Sequence, residues 1–156
     1  MGSTLTLDRS ASQKISQHLE KWLADTYILT IKTQNFHWNV VDPRFHSLHE
    51  MFEEQYNQLN SSIDEIAERI RMLGMKTPAS MKDFLEITTL DEETGNSTAN
   101  EMILKLLDDH QTIASYLRAQ IEEVNGMGDQ GTGDLMIQRL RFHEKSAWML
   151  KASAAN

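Results

Sequence analysis

The sequence predicts an all-α protein: a four-helix bundle whose second and third long helices are joined by one long crossover carrying a short extra helix. Three observations carry that expectation. Apolar residues recur at steps of three and four through four long stretches, the period of a helix with one buried face. Only seven Gly and two Pro interrupt 156 residues. The intervals between the stretches are short, long and short in that order, and interval length decides which neighbouring helices run antiparallel.

The first helix is expected over residues 10 to about 37, with Ala11, Ile15, Leu19, Trp22 and Leu23 on one face. Ile28, Leu29 and Ile31 then widen the apolar surface, as a helix with two neighbours requires. Asp42-Pro43 ends it, because proline disfavours helical geometry in the residue before it. Residues 1–9 are expected to be a flexible tail on a single domain spanning 1–156. The second helix shows the clearest pattern, through Phe45, Leu48, Phe52, Tyr56, Leu59, Ile63, Ile66, Ile70 and Leu73, with Gly74 as its stop. Residues 75–100 form the long connection. Pro78 lies within it, and a short helix is expected from about Ser80, with Asp83 three residues on as a weak capping signal.

The third helix repeats the pattern through Ile103, Leu106, His110, Ile113, Leu117, Ile121 and Val124. Gly126, Gly128, Gly131 and Gly133 read as a tight, flexible turn. The fourth carries Met136, Leu140, His143, Ala147 and Leu150. His110 and His143 fall in core phase and read as structural histidines. Two short links make two antiparallel hairpins, and the long connection leaves helices two and three parallel. A bundle with one such crossover is ferritin-like rather than a simple up-down-up-down bundle.

Composition narrows the chemistry. There is no cysteine, which removes thiolate metal sites and thiol nucleophiles, so any metal must be held by His and carboxylates. That donor set suits iron, manganese or zinc. Net charge is −8, which disfavours simple phosphate binding and suits a scaffold that concentrates cations. No stretch approaches the roughly 18–20 apolar residues of a membrane span, and residues 1–10 lack the pattern of a signal peptide. The expected location is cytoplasmic.

His49 and Glu53 are four apart on the second helix, and so are Asp64 and Glu68. Each pair lies one turn apart on one side of a helix, the arrangement of a chelate. His46–Glu50 has the same spacing, so spacing alone does not select His49. Glu53 and Asp64 lie eleven residues apart, or about 16 Å at ~1.5 Å per residue. Metal–ligand bonds are only about 2 Å long, so one chain cannot bring both pairs to one ion. Two copies of the helix crossing antiparallel about a two-fold axis near Gln58 and Leu59 would face each His49–Glu53 pair with the partner's Asp64–Glu68 pair. His37, just before the Pro43 turn, is placed to add a second imidazole.

These residues also carry a family resemblance. Asn35-Phe36-His37-Trp38-Asn39-Val40, Phe45-His46-Ser47-Leu48-His49 and Asp64-Glu65-Ile66-Ala67-Glu68-Arg69-Ile70 closely resemble the Dps mini-ferritins. The similarity extends to Gly128-Asp129, Thr132, Asp134-Leu135, Arg139, His143-Glu144-Lys145 and Trp148-Met149-Leu150. The resemblance implies a hollow homo-oligomer, a dodecamer, with iron-oxidising sites between two-fold-related subunits. It implies ferrous iron and hydrogen peroxide as substrates, with ferric iron stored inside the shell as protection against oxidative stress. Its ligand positions map onto His37, His49 and Glu53 of one subunit and Asp64 and Glu68 of the other, with zinc or manganese as substitute metals. Position 53 is commonly Asp in that family and is Glu here. Trp38 is either an electron donor during peroxide reduction or a packing residue. Asp134, and more weakly Asp129, match acidic positions near pores that admit iron.

Two alternatives compete. Ordinary ferritins hold iron within one bundle through Glu-x-x-His pairs, and none of the six His here has Glu three residues before it. A DNA-compacting or structural shell with weak or lost oxidase activity is the other reading. The first fourteen residues hold only Arg9 and Lys14 as basic side chains, so direct DNA binding is not favoured.

Overall fold

The computed structural model describes residues 2–155, and among them it contains five helices and no strand. They are α1 (Arg9–Asn39), α2 (Phe45–Met72), α3 (Met81–Ile87), α4 (Ala99–Gly126) and α5 (Gln130–Ser153). α1 packs along α2, α4 packs along α5, and α1 also touches α4 and α3. The α2–α5 seam is lighter and is held by polar ties. At one end Arg69 Nε donates to Thr132 Oγ1 at 2.9 Å, and farther along Arg139 Nη2 donates to the Gln58 carbonyl at 3.0 Å. Residue numbers thus rise on α2 as they fall on α5, so α2 and α5 are antiparallel and α2 and α4 parallel. This is the crossover topology expected, with α3 inside the crossover. No described helix is long and apolar enough to cross a membrane.

The termini of the helices explain their lengths. Asp8 Oδ2 accepts from Ala11 N to start α1, and Ser80 Oγ accepts from Asp83 N to start α3. Thr98 and Glu101 form a reciprocal capping box on α4. Gly74, at φ 89°, lets the chain leave α2 in the left-handed region.

One expectation needs correcting and one narrowing. Residues 2–8 are not a free tail: Ser3 Oγ donates to the Met72 carbonyl at 3.0 Å, Leu5 and Leu7 pack on the core, and Arg9 already belongs to α1. Met1 lies outside the described residues. The turn at the glycine-rich stretch is tight, as expected, but shorter than its four glycines suggest, because α4 runs through Gly126 and α5 starts at Gln130. Gly131 and Gly133 are helical and serve close approach. A Cβ on Gly131 would lie 2.6 Å from Arg69 Nη2, and one on Gly133 would overlap Asn125 Oδ1.

Inside the bundle, Lys32 of α1 and Asp109 of α4 form a buried ion pair at 2.8 Å. His110 and His143 are buried too, as their core phase required, with their Nδ1 atoms 2.8 Å apart. One Nδ1 must carry a proton and the other a lone pair. Nε2 of His110 has no partner, and a buried lone pair costs less than a buried N–H, so His110 is assigned as the Nδ1–H donor.

Burial, then the nearby Arg139 guanidinium, lowers the His110 pKa from 6.5 to about 3. Burial, His110 and Arg139 lower that of His143 as well. Both imidazoles stay neutral in the fold yet take up protons when unfolded. Their contribution to stability is therefore complete above about pH 6.5 and declines as pH falls toward about 3. Urea midpoints measured from pH 7 to pH 4 should fall less steeply in a His110→Leu/His143→Leu variant than in the native chain. Parallel profiles would contradict this account.

Candidate metal centre

The corner between α1 and α2 brings two histidines together. Pro43 ends α1's path, and residues 40–44 turn the chain back on itself. Arg44 holds the corner: its guanidinium pairs with Asp42 at 2.8 Å and also donates to the Ser153 carbonyl at the end of α5. This fixes where α2 begins, and hence where its first two turns face.

Across that corner the rings of His37 and His49 stack, with centroids 3.8 Å apart and planes 11° from parallel. The bonding is reciprocal. His37 Nδ1–H donates to the His49 carbonyl at 2.7 Å, and His49 Nδ1–H donates to the His37 carbonyl at 2.7 Å. A carbonyl oxygen can only accept, so both Nδ1 atoms carry protons, and a neutral ring then holds its lone pair on Nε2. Fixing one ring nitrogen as donor to a backbone carbonyl is how metal-binding histidines are oriented. Phe45 stacks on His49 at 4.8 Å and Tyr56 meets His37 edge-on at 5.3 Å, which leaves the rings little freedom.

Glu53 stands one turn beyond His49, with Oε1 3.5 Å from His37 Nε2. Two atoms bound to one ion at about 2.0–2.2 Å, with an angle of roughly 90–110°, lie about 3.0–3.5 Å apart. The separation fits two ligands of one ion. His37 is 5% exposed, whereas the Glu53 side chain is 51% exposed, so the group opens outward.

Asp64 and Glu68 are exposed farther along the same unbroken α2. Among the described residues, no three His, Asp or Glu side chains gather closely enough to hold a metal ion. Within one chain the His37–His49–Glu53 group and the Asp64–Glu68 pair are therefore separate. Trp38 follows His37 in α1 and is 67% exposed, so it packs on nothing in its own chain that would bury it. Asp134 is exposed, one turn into α5, and accepts from Gln138 Nε2 at 2.9 Å. Asp129, the weaker pore expectation, is engaged within its own chain. It is buried, caps α5 through Thr132 N, and pairs with Arg69 at 2.6 Å. The reciprocal His–carbonyl bonds left no trace in spacing beyond one sign, a histidine on either side of a proline turn.

The Ferritin-like domain family matches residues 16–156. The DNA protection during starvation protein 2 of Bacillus anthracis is 38% identical over 141 residues, covering 90% of this chain and 97% of that protein. The crystal structure of a Dps protein from Bacillus brevis superposes with a TM-score of 0.89 at 33% identity, over 92% of this chain and 96% of that one. A Dps protein from Vibrio cholerae, described as a member of a broad superfamily of ferritin-like diiron-carboxylate proteins, gives a TM-score of 0.91 at 33% identity. It covers 97% of this chain and 96% of its own.

Replacing His49 with Gly removes one imidazole and the ring on which His37 stacks, while the residue-49 carbonyl that accepts from His37 Nδ1 remains. Ferrous affinity, measured anaerobically by calorimetry, should fall at least about tenfold while helicity and assembly persist. Unchanged affinity would mean that the metal binds elsewhere.

Proposed function

The chain belongs to the Dps family within the ferritin-like fold, and on that premise we propose that it binds ferrous iron at sites shared by two subunits, oxidises it, and keeps the ferric product inside a hollow shell. The reading is supported most directly by the reciprocal bonding of His37 and His49, which presents imidazole lone pairs beside the Glu53 carboxylate. Two imidazoles with one carboxylate suit ferrous iron, and zinc or manganese would compete for the same donors.

His37, His49 and Glu53 of one subunit supply one side of the site, and Asp64 and Glu68 of a second subunit supply the other. The assembly is a dodecamer in this reading. The carboxylates balance charge as iron passes from the ferrous to the ferric state. Hydrogen peroxide is the oxidant. Two ferrous ions each give up one electron, the O–O bond breaks, and two protons complete two waters. Consuming ferrous iron and peroxide together prevents the radical chemistry they would otherwise produce, so such a protein protects DNA without touching it. Trp38 is assigned to the interface beside the site, within reach of stray oxidising equivalents. Asp134 is assigned to the path by which iron enters.

The test is anaerobic ferrous titration of the purified oligomer, followed by hydrogen peroxide. The expected result is consumption of half as many peroxide molecules as ferrous ions, with ferric absorbance retained in the soluble particle. Ferrous binding without peroxide-dependent oxidation would contradict the activity, with Glu53→Asp the first variant to compare. Oxidation with ferric iron lost to precipitate would contradict storage.

A further inference from the structure

From Phe45 to Glu68, α2 carries Glu50, Glu53, Glu54, Asp64, Glu65 and Glu68 and not one Lys or Arg. Such a run of one sign draws cations to the helix surface. Two of its side chains remain outside the site described above. His46 Nε2 lies 3.2 Å from Glu50 Oε1, and the two side chains are 83% and 61% exposed. That separation falls within the roughly 3.0–3.5 Å expected of two ligand atoms on one ion. The pair sits three residues before His49–Glu53, which is about 4.5 Å along the helix and roughly 60° around it.

The other histidines are engaged differently. His37 and His49 are tied to carbonyls, and His110 and His143 to each other. His18 approaches Glu123 at 3.3 Å, but Lys14 and Lys21 lie within one helical turn of it on α1, so a cation there meets like charge. His46 is the one exposed histidine of the six, and the basic residue nearest it in the chain, Arg44, is already paired with Asp42 at 2.8 Å.

We propose that His46 and Glu50 form a second, weaker divalent-cation site, which takes hydrated ferrous iron from solvent and passes it to His37, His49 and Glu53. Two protein ligands with water completing the shell hold an ion loosely enough to exchange it. One imidazole and one carboxylate select the same class of metal as the site beside them. The passing role rests on the function proposed above; the existence of the site does not.

The experiment is anaerobic calorimetric titration of the assembled protein with Co(II) as the probe. The native chain should show a tight and a weak class of site. His46→Ala should lose the weak class and keep the tight one, His49→Gly should do the reverse, and His18→Ala should match the native chain. An His46→Ala isotherm that superposes on the native one overturns the proposal, as does loss of the weak class in His18→Ala. Stopped-flow oxidation then reads the passing role. The ferrous concentration giving half the maximal rate should rise several-fold in His46→Ala, and an unchanged value would leave a binding site without that role. Two classes of Co(II) site in a protein that never oxidises iron would sink the function and uphold the site.

Discussion

An α-helix advances about 1.5 Å per residue and does not fold back on itself, and this constraint on α2 governs the rest of the molecule. Phe45–Met72 is one unbroken helix, so Glu53 and Asp64 stay about 16 Å apart, whatever the side chains do. A bundle that hides its metal site within one chain avoids the difficulty by drawing ligands from facing helices. Here the donors lie on α2 and at the end of α1, and the bundle centre is given over to apolar packing, a buried ion pair and a histidine pair. The chain folds as a complete bundle, with its two His and carboxylate groups held apart along α2.

In the proposed site, the rigidity of the histidine pair precedes any metal. The His37–His49 stack is closed by two hydrogen bonds that each use the other residue's backbone carbonyl. Neither ring can turn without breaking a bond, and both tautomers are set by the same pair of contacts. Arg44 secures the corner to the far end of α5, so the α1–α2 turn and the α4–α5 hairpin are mechanically one piece. At the other end, Arg69 reaches Asp129 and Thr132 and ties α2 to the start of α5. Ordering is thus built into folding, and binding need not supply it.

Much of this was legible in the sequence, because it follows from local rules. The three-and-four spacing of α2, Pro43 as a breaker, Gly74 as a stop and the lengths of the intervals all act within a few residues, and together they specify the topology. The His and carboxylate spacing likewise placed His49–Glu53 and Asp64–Glu68 as two separated pairs on one helix. Tertiary contacts were hidden. Gly131 and Gly133 look like a hinge until Arg69 and Asn125 are placed against them. Asp129 looks like a free acid until Arg69, sixty residues away, is seen to hold it. The docking of Ser3 on Met72 spans a similar distance in sequence. No local pattern announces such pairings.

The claim on which the account depends is that each site is assembled from two chains, and subunit mixing tests it most directly. One variant, His49→Gly, lacks the imidazole half; another, Asp64→Asn/Glu68→Gln, lacks the carboxylate half. Each alone should fail to oxidise iron. Dissociated, mixed in equal amounts and reassembled, they should recover about a quarter of native activity, because half of randomly paired dimers would hold one intact site of two. Activity that stays absent in the mixture, with mixed particles confirmed by mass spectrometry, would contradict a site shared between subunits.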